Sequence, residues 1–157
     1  MKSTLPLKKP LKPKAAPAVS SWLRTANYTE FNKLLPAERF KYAAVRTTRG
    51  APRFPLKYNL AGTSEAVMPP KHAWGLEADE FESTYRSHLD ALGVEVVARD
   101  LTEIKTDDHI NGGTDRSLVL LCFCKLGEVT HCHRRIFAQW WQEQTGESVP
   151  ELTGNGA

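Results

Sequence analysis

Leu118-Val-Leu-Leu-Cys-Phe-Cys-Lys-Leu-Gly-Glu-Val-Thr-His-Cys-His-Arg-Arg135 carries every cysteine of the chain, two of its five histidines and two adjacent arginines. The apolar run Leu118 to Cys122 predicts a strand buried on both faces, as expected for the centre of a parallel sheet. A short polar loop follows, and Cys132 to Thr145 predicts a helix. Reactive side chains therefore gather where a strand ends and a helix begins, which is where α/β folds place ligand sites.

Working outward, Thr29 to Leu35 predicts a short helix, with Thr29 as N-cap and Pro36 closing it. Tyr42 to Arg46 is a short apolar strand. Thr47 to Pro70 is a loop rich in glycine, proline and basic residues, and its length marks it as functional or disordered. Glu77 to Leu92 predicts a helix, because Phe81, Tyr85, Leu89 and Leu92 share one face and acids crowd its first turn. Gly93 suits the position just past its end. Val94 to Ala98 alternates like a strand, residues 105–116 read as a polar loop, and Val149 opens a last short strand. Strands alternating with helices predict an α/β domain, a small, mostly parallel sheet with helices on its faces. The strand at Leu118 should be central, with the Glu77 and Cys132 helices packed on the sheet. The domain is expected over residues 21–152, between an extended basic N-terminal arm (1–20) and a frayed tail (153–157).

The chain has 157 residues, enough for one domain with a core and too few for two comfortable ones. No apolar run reaches the roughly 20 residues that span a bilayer, and no apolar segment follows the N-terminal lysines, so no membrane partner and a cytoplasmic location are expected. An odd number of cysteines in a chain without an export signal argues for free thiols. The net charge of +3 divides unevenly. Residues 1–20 hold five lysines and no acid, while the remainder holds 16 basic and 18 acidic residues. Four prolines among those lysines favour extended backbone. The arm is thus a solvated leader or a nonspecific nucleic-acid contact, while the body lacks the basic excess of a nucleic-acid surface.

Period-two alternation puts Cys122 and Cys124 on one side of the strand and Phe123 on the other. Cys132 sits where free helix amides and the helix dipole stabilise a thiolate or an anion, with His131, His133, Arg134 and Arg135 alongside. Three readings stay open. Cys132 is a nucleophile with His133 as proton carrier, or the helix end binds an anion, or Cys122, Cys124, Cys132 and His133 hold zinc. The zinc reading is the weakest, since the spacing matches no C-x-x-C knuckle. Cys122 reads first as core filler and second as a residue lining a ligand pocket. Arg46 and Arg53, flanking the Gly50/Pro52 turn, are expected to join Arg134 in clamping the anion, because a guanidinium fork suits phosphate. Ala138 stands where a phosphatase-like Cys-x5-Arg signature needs arginine, and the P-loop and dinucleotide fingerprints are absent.

A strand ending in Cys122, a short loop, Cys132-His133-Arg134 opening a helix, then Trp140-Trp141 and Gly146-Glu-Ser-Val149-Pro-Glu-Leu152 resemble the domain-of-unknown-function 488 family. The early strand ending in Arg46 and the Gly50/Pro52 turn with Arg53 and Phe54 belong to the same likeness. It spans roughly residues 28–152 and is closest to phage and actinobacterial versions. The resemblance implies a compact α/β fold with shared polar residues around one pocket, and no established reaction. The chain departs from that pattern at Cys124, where family members commonly carry glutamate. A carboxylate that could act as acid or base is replaced by a thiol, with Glu128 as a candidate substitute.

Two functions are expected from these readings. One is an enzyme-like pocket for a phosphate-bearing or otherwise anionic small molecule, such as a nucleotide or modified base. The other is a non-catalytic accessory protein, phage-encoded, that uses its arm on nucleic acid. Arg134 is expected to face the pocket and to be replaceable by alanine without unfolding.

Overall fold

A computed structural model of the chain describes residues 18–124 and 132–154. Its elements run β1 (Ala18–Val19), β2 (Leu23–Asn27), α1 (Tyr28–Lys33), α2 (Pro36–Arg39), β3 (Tyr42–Arg46), β4 (Leu60–Thr63), a 3-10 turn (Lys71–Ala73), α3 (Ala78–Leu92), α4 (Val94–Gly112), β5 (Ser117–Cys122), α5 (His133–Thr145) and β6 (Glu147–Ser148). β2, β5, β3 and β4 form a four-stranded sheet in that order, with every neighbouring pair parallel. β1 and β6 make a second, two-stranded parallel sheet. The α/β class and the parallel sheet expected from the sequence are both present.

β5 lies between β2 and β3, and Leu118 through Cys122 are completely buried. Its alternation divides the core. Leu118 and Leu120 join Leu23, Ala43 and Val45 against Phe81, Tyr85, Leu89, Val97, Leu101, Ile136, Phe137 and Trp140, so α3, α4 and α5 cover that face. Val119 and Leu121 join Ala26 and Ala44 against Tyr28, Phe31 and Leu152 on the other. Each large side chain removed from water in this way contributes about 1.5–3 kcal/mol.

The predicted strand at Val94 to Ala98 and the loop after it are instead the first and later parts of α4. Val-Glu-Val-Val imitates strand alternation, but Val97, Leu101, Ile104 and Asp108 recur at steps of four, three and four and pack inward or partly inward. Gly93 makes the arrangement possible. At φ 84° it ends α3 and starts α4 in a single residue, a conformation that a side chain disfavours. Asp108 and Arg116 then tie the end of α4 to the start of β5. The long loop after β3 contains β4, whose Gly62 lets Ile104 approach; a Cβ there would lie 3.0 Å from its side chain. The N-cap of α1 lies two residues earlier than predicted, because Asn27 rather than Thr29 accepts from Glu30 N, at 2.6 Å. The last strand is Glu147–Ser148, immediately before Val149.

Residues 18–20, grouped by composition with the arm, belong to the fold. β1 pairs with β6, Ser20 N donates to Ser148 O at 2.8 Å, and Ser20 Oγ accepts from Leu23 N. The C-terminal segment closes the free edge of β2, since Thr25 N donates to Pro150 O and Leu152 N to Thr25 O. Gly154 still bonds Glu30, so order extends into the expected tail. Lysines 2 to 14 of the arm lie outside the described residues. No helix among the described residues is long and apolar enough to cross a membrane.

After β3 the chain leaves toward the face holding Leu56 and Tyr58, and after β5 the helix α5 lies on the opposite face. Neighbouring strands whose connections diverge in this way leave a crevice at their C-terminal ends. The cysteine cluster lies there.

Candidate functional site: a three-thiol cluster on a buried Arg–Glu pair

β5 carries Cys122 inward on the face covered by α5, and the N-cap of α5 is Cys132. Their sulfurs are 3.3 Å apart. Cys124, two residues on and facing the same side, brings its own sulfur within 4.8 Å of both. The three thiols are unbridged; Cys122 and Cys132 are buried and Cys124 is half-buried.

Arg134, in the first turn of α5, is 1% exposed. Its Nη1 donates to Cys122 Sγ at 2.8 Å, to Cys132 Sγ at 3.1 Å and to Cys124 O at 2.6 Å. Its other edge forms a two-pronged pair with Glu151: Nε lies 3.0 and 3.1 Å from the two carboxylate oxygens, and Nη2 donates at 2.8 Å. Thr25 Oγ1 completes the carboxylate's environment by donating at 2.7 Å. Burial opposes the guanidinium's charge, but Glu151 and the sulfurs outweigh it and keep Arg134 cationic.

The cluster holds one negative charge readily. Bonds to Cys122 and Cys124 and the neighbouring Arg134 hold the Cys132 thiol well below the ordinary thiol range despite burial. Cys122 is pushed far above the ordinary thiol range by its bonds to Cys124 and Cys132 and by burial. For Cys124 the bond from Cys122 works downward, but donation to Cys132, burial and the neighbouring charge raise it overall. Arg134 is slightly nearer Cys122 than Cys132 and cannot alone select the ionised sulfur. Bonds to Cys122 and Cys124 favour the ionised form at Cys132, which alone of the three stands at a helix N-terminus, where the dipole favours negative charge. That helix has no acid in its first turn.

His133 is also buried. Thr47 Oγ1 donates to Leu121 O at 2.7 Å, so its oxygen accepts from His133 Nε2 at 2.9 Å. This fixes the Nε2–H tautomer and leaves Nδ1 as the basic nitrogen. Burial lowers the imidazole to about 4 against the pull of the Cys132 thiolate, so it is neutral at pH 7. Tyr85 meets its ring edge-on, at 6.0 Å between centroids.

A cavity of about 140 Å³ opens beside the cluster, lined by Thr48, Trp74, Gly75, Leu76, Phe81, Phe123, Cys124 and His133. Trp74 and Phe123 are each about half exposed on its walls. Three larger clefts, of about 340, 360 and 600 Å³, have no cysteine or histidine in their lining.

Of the residues singled out by sequence, Cys122, Cys132, His133 and Arg134 come together. Arg46 and Arg53 do not join them through any hydrogen bond or ion pair among the described residues. Arg46 donates to the carbonyls of Thr48 and Arg49 and braces the turn after β3. Arg53 is exposed, next to Phe54, whose ring meets Tyr28. Arg134 turns inward to Glu151 instead of toward a ligand, because its guanidinium is already saturated. The two threonines and Glu151 escaped sequence reading; Glu151 lies 126 residues from Thr25, and only the tertiary fold joins them. His131 and Glu128 fall outside the described residues.

Three sulfurs at this spacing are also a donor set for a thiophilic ion such as zinc. His133, the expected fourth ligand, has Nε2 committed to Thr47 and Nδ1 left as its free nitrogen, and Arg134 Nη1 already contacts two of the three sulfurs. No protein-family model matches the chain, and neither does any curated protein or solved structure.

Proposed function

We propose that this thiol cluster is the centre of an enzyme-like pocket for an anionic, phosphate-bearing small molecule, such as a nucleotide or modified base. The observation that carries the reading is the stabilised Cys132 sulfur, 3.3 Å from Cys122 and 3.1 Å from Arg134. Within it Cys132 is the thiolate nucleophile, His133 moves protons at Nδ1, and Arg134 and Cys122 position the sulfur. The aromatic walls formed by Trp74, Phe81 and Phe123 suit a flat ring, with Thr48 and His133 offering polar contacts. Arg53, exposed beyond the turn that Arg46 braces, is the arginine this reading assigns to a phosphate. Free thiols suit a reducing compartment such as the cytoplasm. The resemblance to the domain-of-unknown-function 488 family agrees with a single polar pocket and adds no reaction.

The test is ligand protection. The full-length chain is alkylated with iodoacetamide alone and with millimolar inorganic phosphate, nucleoside monophosphates or free nucleobases, and the labelled cysteine is located by mass spectrometry. A nucleotide should slow labelling of Cys124 and Cys132 more than phosphate or base alone. Equal labelling in every arm would overturn the reading.

A second reading rests on the five lysines without an acid in residues 1–20. In it the chain is a non-catalytic accessory protein, phage-encoded, whose arm holds nucleic acid through phosphate contacts.

A further inference from the structure

We propose that the chain reduces hydroperoxides, with Cys132 as the attacking sulfur, Cys122 as its resolving partner and Cys124 as the outlet to an external thiol. The inference goes beyond ligand binding and uses features that binding does not require.

The first is the approach of two buried sulfurs. A disulfide needs an S–S distance of about 2.05 Å. Cys122 and Cys132 already stand at 3.3 Å, so small side-chain rotations at a strand end and a helix cap complete the bond. The second is Arg134, whose single Nη1 touches both sulfurs and carries charge into the place where oxygen must leave. The third is Cys124. It lies within 4.8 Å of both partners and alone of the three lines the cavity, so it joins the buried pair to the exterior. A cavity of about 140 Å³ admits hydrogen peroxide easily, since a water molecule takes up only about 30 Å³.

The chemistry balances with hydrogen peroxide as oxidant. The Cys132 thiolate attacks one peroxide oxygen and the O–O bond breaks. Cys132 becomes a sulfenic acid, and the departing hydroxide takes the Cys122 proton to form the first water. The Cys122 thiolate then attacks the Cys132 sulfur, forming the S–S bond and expelling hydroxide, which takes a solvent proton to form the second water. The sulfur pair loses two electrons and peroxide gains them. Cys124 exchanges onto the buried disulfide, and an external dithiol reduces the resulting link at the cavity.

Trypsin offers a direct readout. Cleavage after Arg116, Lys125 and Arg134 places Cys122 and Cys124 in one peptide and Cys132 in another. The reduced full-length protein is treated with hydrogen peroxide, blocked with an alkylating reagent and digested without reduction. One peroxide should disappear for every two thiols lost. The two peptides should appear joined, with fragmentation locating the bond at Cys122 or, after exchange, at Cys124. Dithiothreitol should sustain repeated peroxide consumption. In Cys122→Ser, Cys132 sulfenic acid should accumulate and be trapped by dimedone, with turnover at least tenfold slower. The wild-type linkage decides the matter even if that variant does not fold. The proposal is overturned if peroxide leaves no intrachain link, or if it is consumed no faster than by free cysteine. It is equally overturned if the purified chain holds a stoichiometric metal ion that keeps the three thiols unreactive. Ligand protection is measured on the reduced chain, so either result can fail while the other stands.

Discussion

Replacing Arg134 with methionine tests whether the cluster is held from within. The side chain is 1% exposed and bonded at once to Glu151, two sulfurs and a carbonyl. Methionine fills similar volume without the charge. Breaking a buried ion pair by removing one partner costs about 3–5 kcal/mol, mostly from the orphaned charge. Of the two anions left without it, Glu151 has a side chain 22% exposed and still accepts from Thr25, so part of its hydration returns, and the Cys132 sulfur can take up a proton. The expected loss is therefore near the lower end, about 3 kcal/mol. At about 2–4 °C per kcal/mol for a chain of this size, the melting temperature should fall by about 10 °C. Glu151→Gln in the same chain should recover about half of that loss or more, because the unpaired carboxylate is gone. Differential scanning calorimetry of wild type, both single variants and the double variant closes the cycle. A loss below about 1 kcal/mol in Arg134→Met, or a double variant as unstable as the sum of the singles, would refute the argument. Arg134 would then be the free anion clamp that its place beside Cys132 and His133 suggested.

Other consequences follow from the titrating groups and the chain ends. Ultraviolet thiolate absorbance should persist in the folded protein at pH 5 and disappear on unfolding or in Cys132→Ser, because the native Cys132 thiol is held well below the ordinary thiol range. Its native value is depressed, so its stabilisation is complete above the unfolded thiol value of about 8.5 and is lost as pH falls through the native value. His133 contributes through its lowered value of about 4: stability from this group is full above the unfolded value of about 6.5 and declines as pH falls through 4. A denaturation series from pH 7 to 4 should therefore slope less in His133→Gln than in wild type; equal slopes would show that another group titrates there. Removing residues 1–17 should weaken nonspecific DNA and RNA binding, flatten its salt dependence and leave the melting temperature unchanged. Removing residues 1–22 should lower the melting temperature as well, since β1, the Ser20 bonds and Trp22 against Trp141 go with them. Equal nucleic-acid binding by full-length and truncated chains would make the arm a leader only.

The parts of the fold legible in the sequence are those whose side chains face one environment throughout. β5 is apolar because both faces are covered, and α3 shows its stripe because the other face meets water. β4 hid inside a turn-rich segment because Leu-Ala-Gly-Thr owes its strand state to pairing with β3, and its small residues make room for Ile104. β2 was masked by its neighbours: Leu-Arg-Thr-Ala-Asn has no apolar run, and its burial comes from β5 on one edge and the C-terminal segment on the other. The misreading at Val94 to Ala98 has a different origin. Four residues satisfy either period, and only the stripe through Leu101 and Asp108 separates helix from strand. A window that stops at Ala98 cannot see it.

Local spacing similarly located the thiols but not their electrostatics. Alternation along β5 puts Cys122 and Cys124 on the side of the α5 mouth, and the helix start brings Cys132 and Arg134 to meet them. A guanidinium and a thiolate in such proximity read naturally as tools exposed to a ligand. Their burial instead depends on Glu151, which reaches the site only because residues 150–152 add to the edge of β2. With that carboxylate in place, Arg134 is spent on the interior and fixes the charge on the cluster. Of the cluster, Cys124 and His133 line the cavity beside it, while Cys122 and Cys132 lie buried behind. Cys124 puts a neutral thiol at the mouth of a site whose internal charge is already set. Glutamate there would place a second carboxylate near the Cys132 thiolate and compete with it for the one buried guanidinium. A neutral thiol adds no such charge, and its contact with Cys132, after that of Cys122, favours the thiolate there.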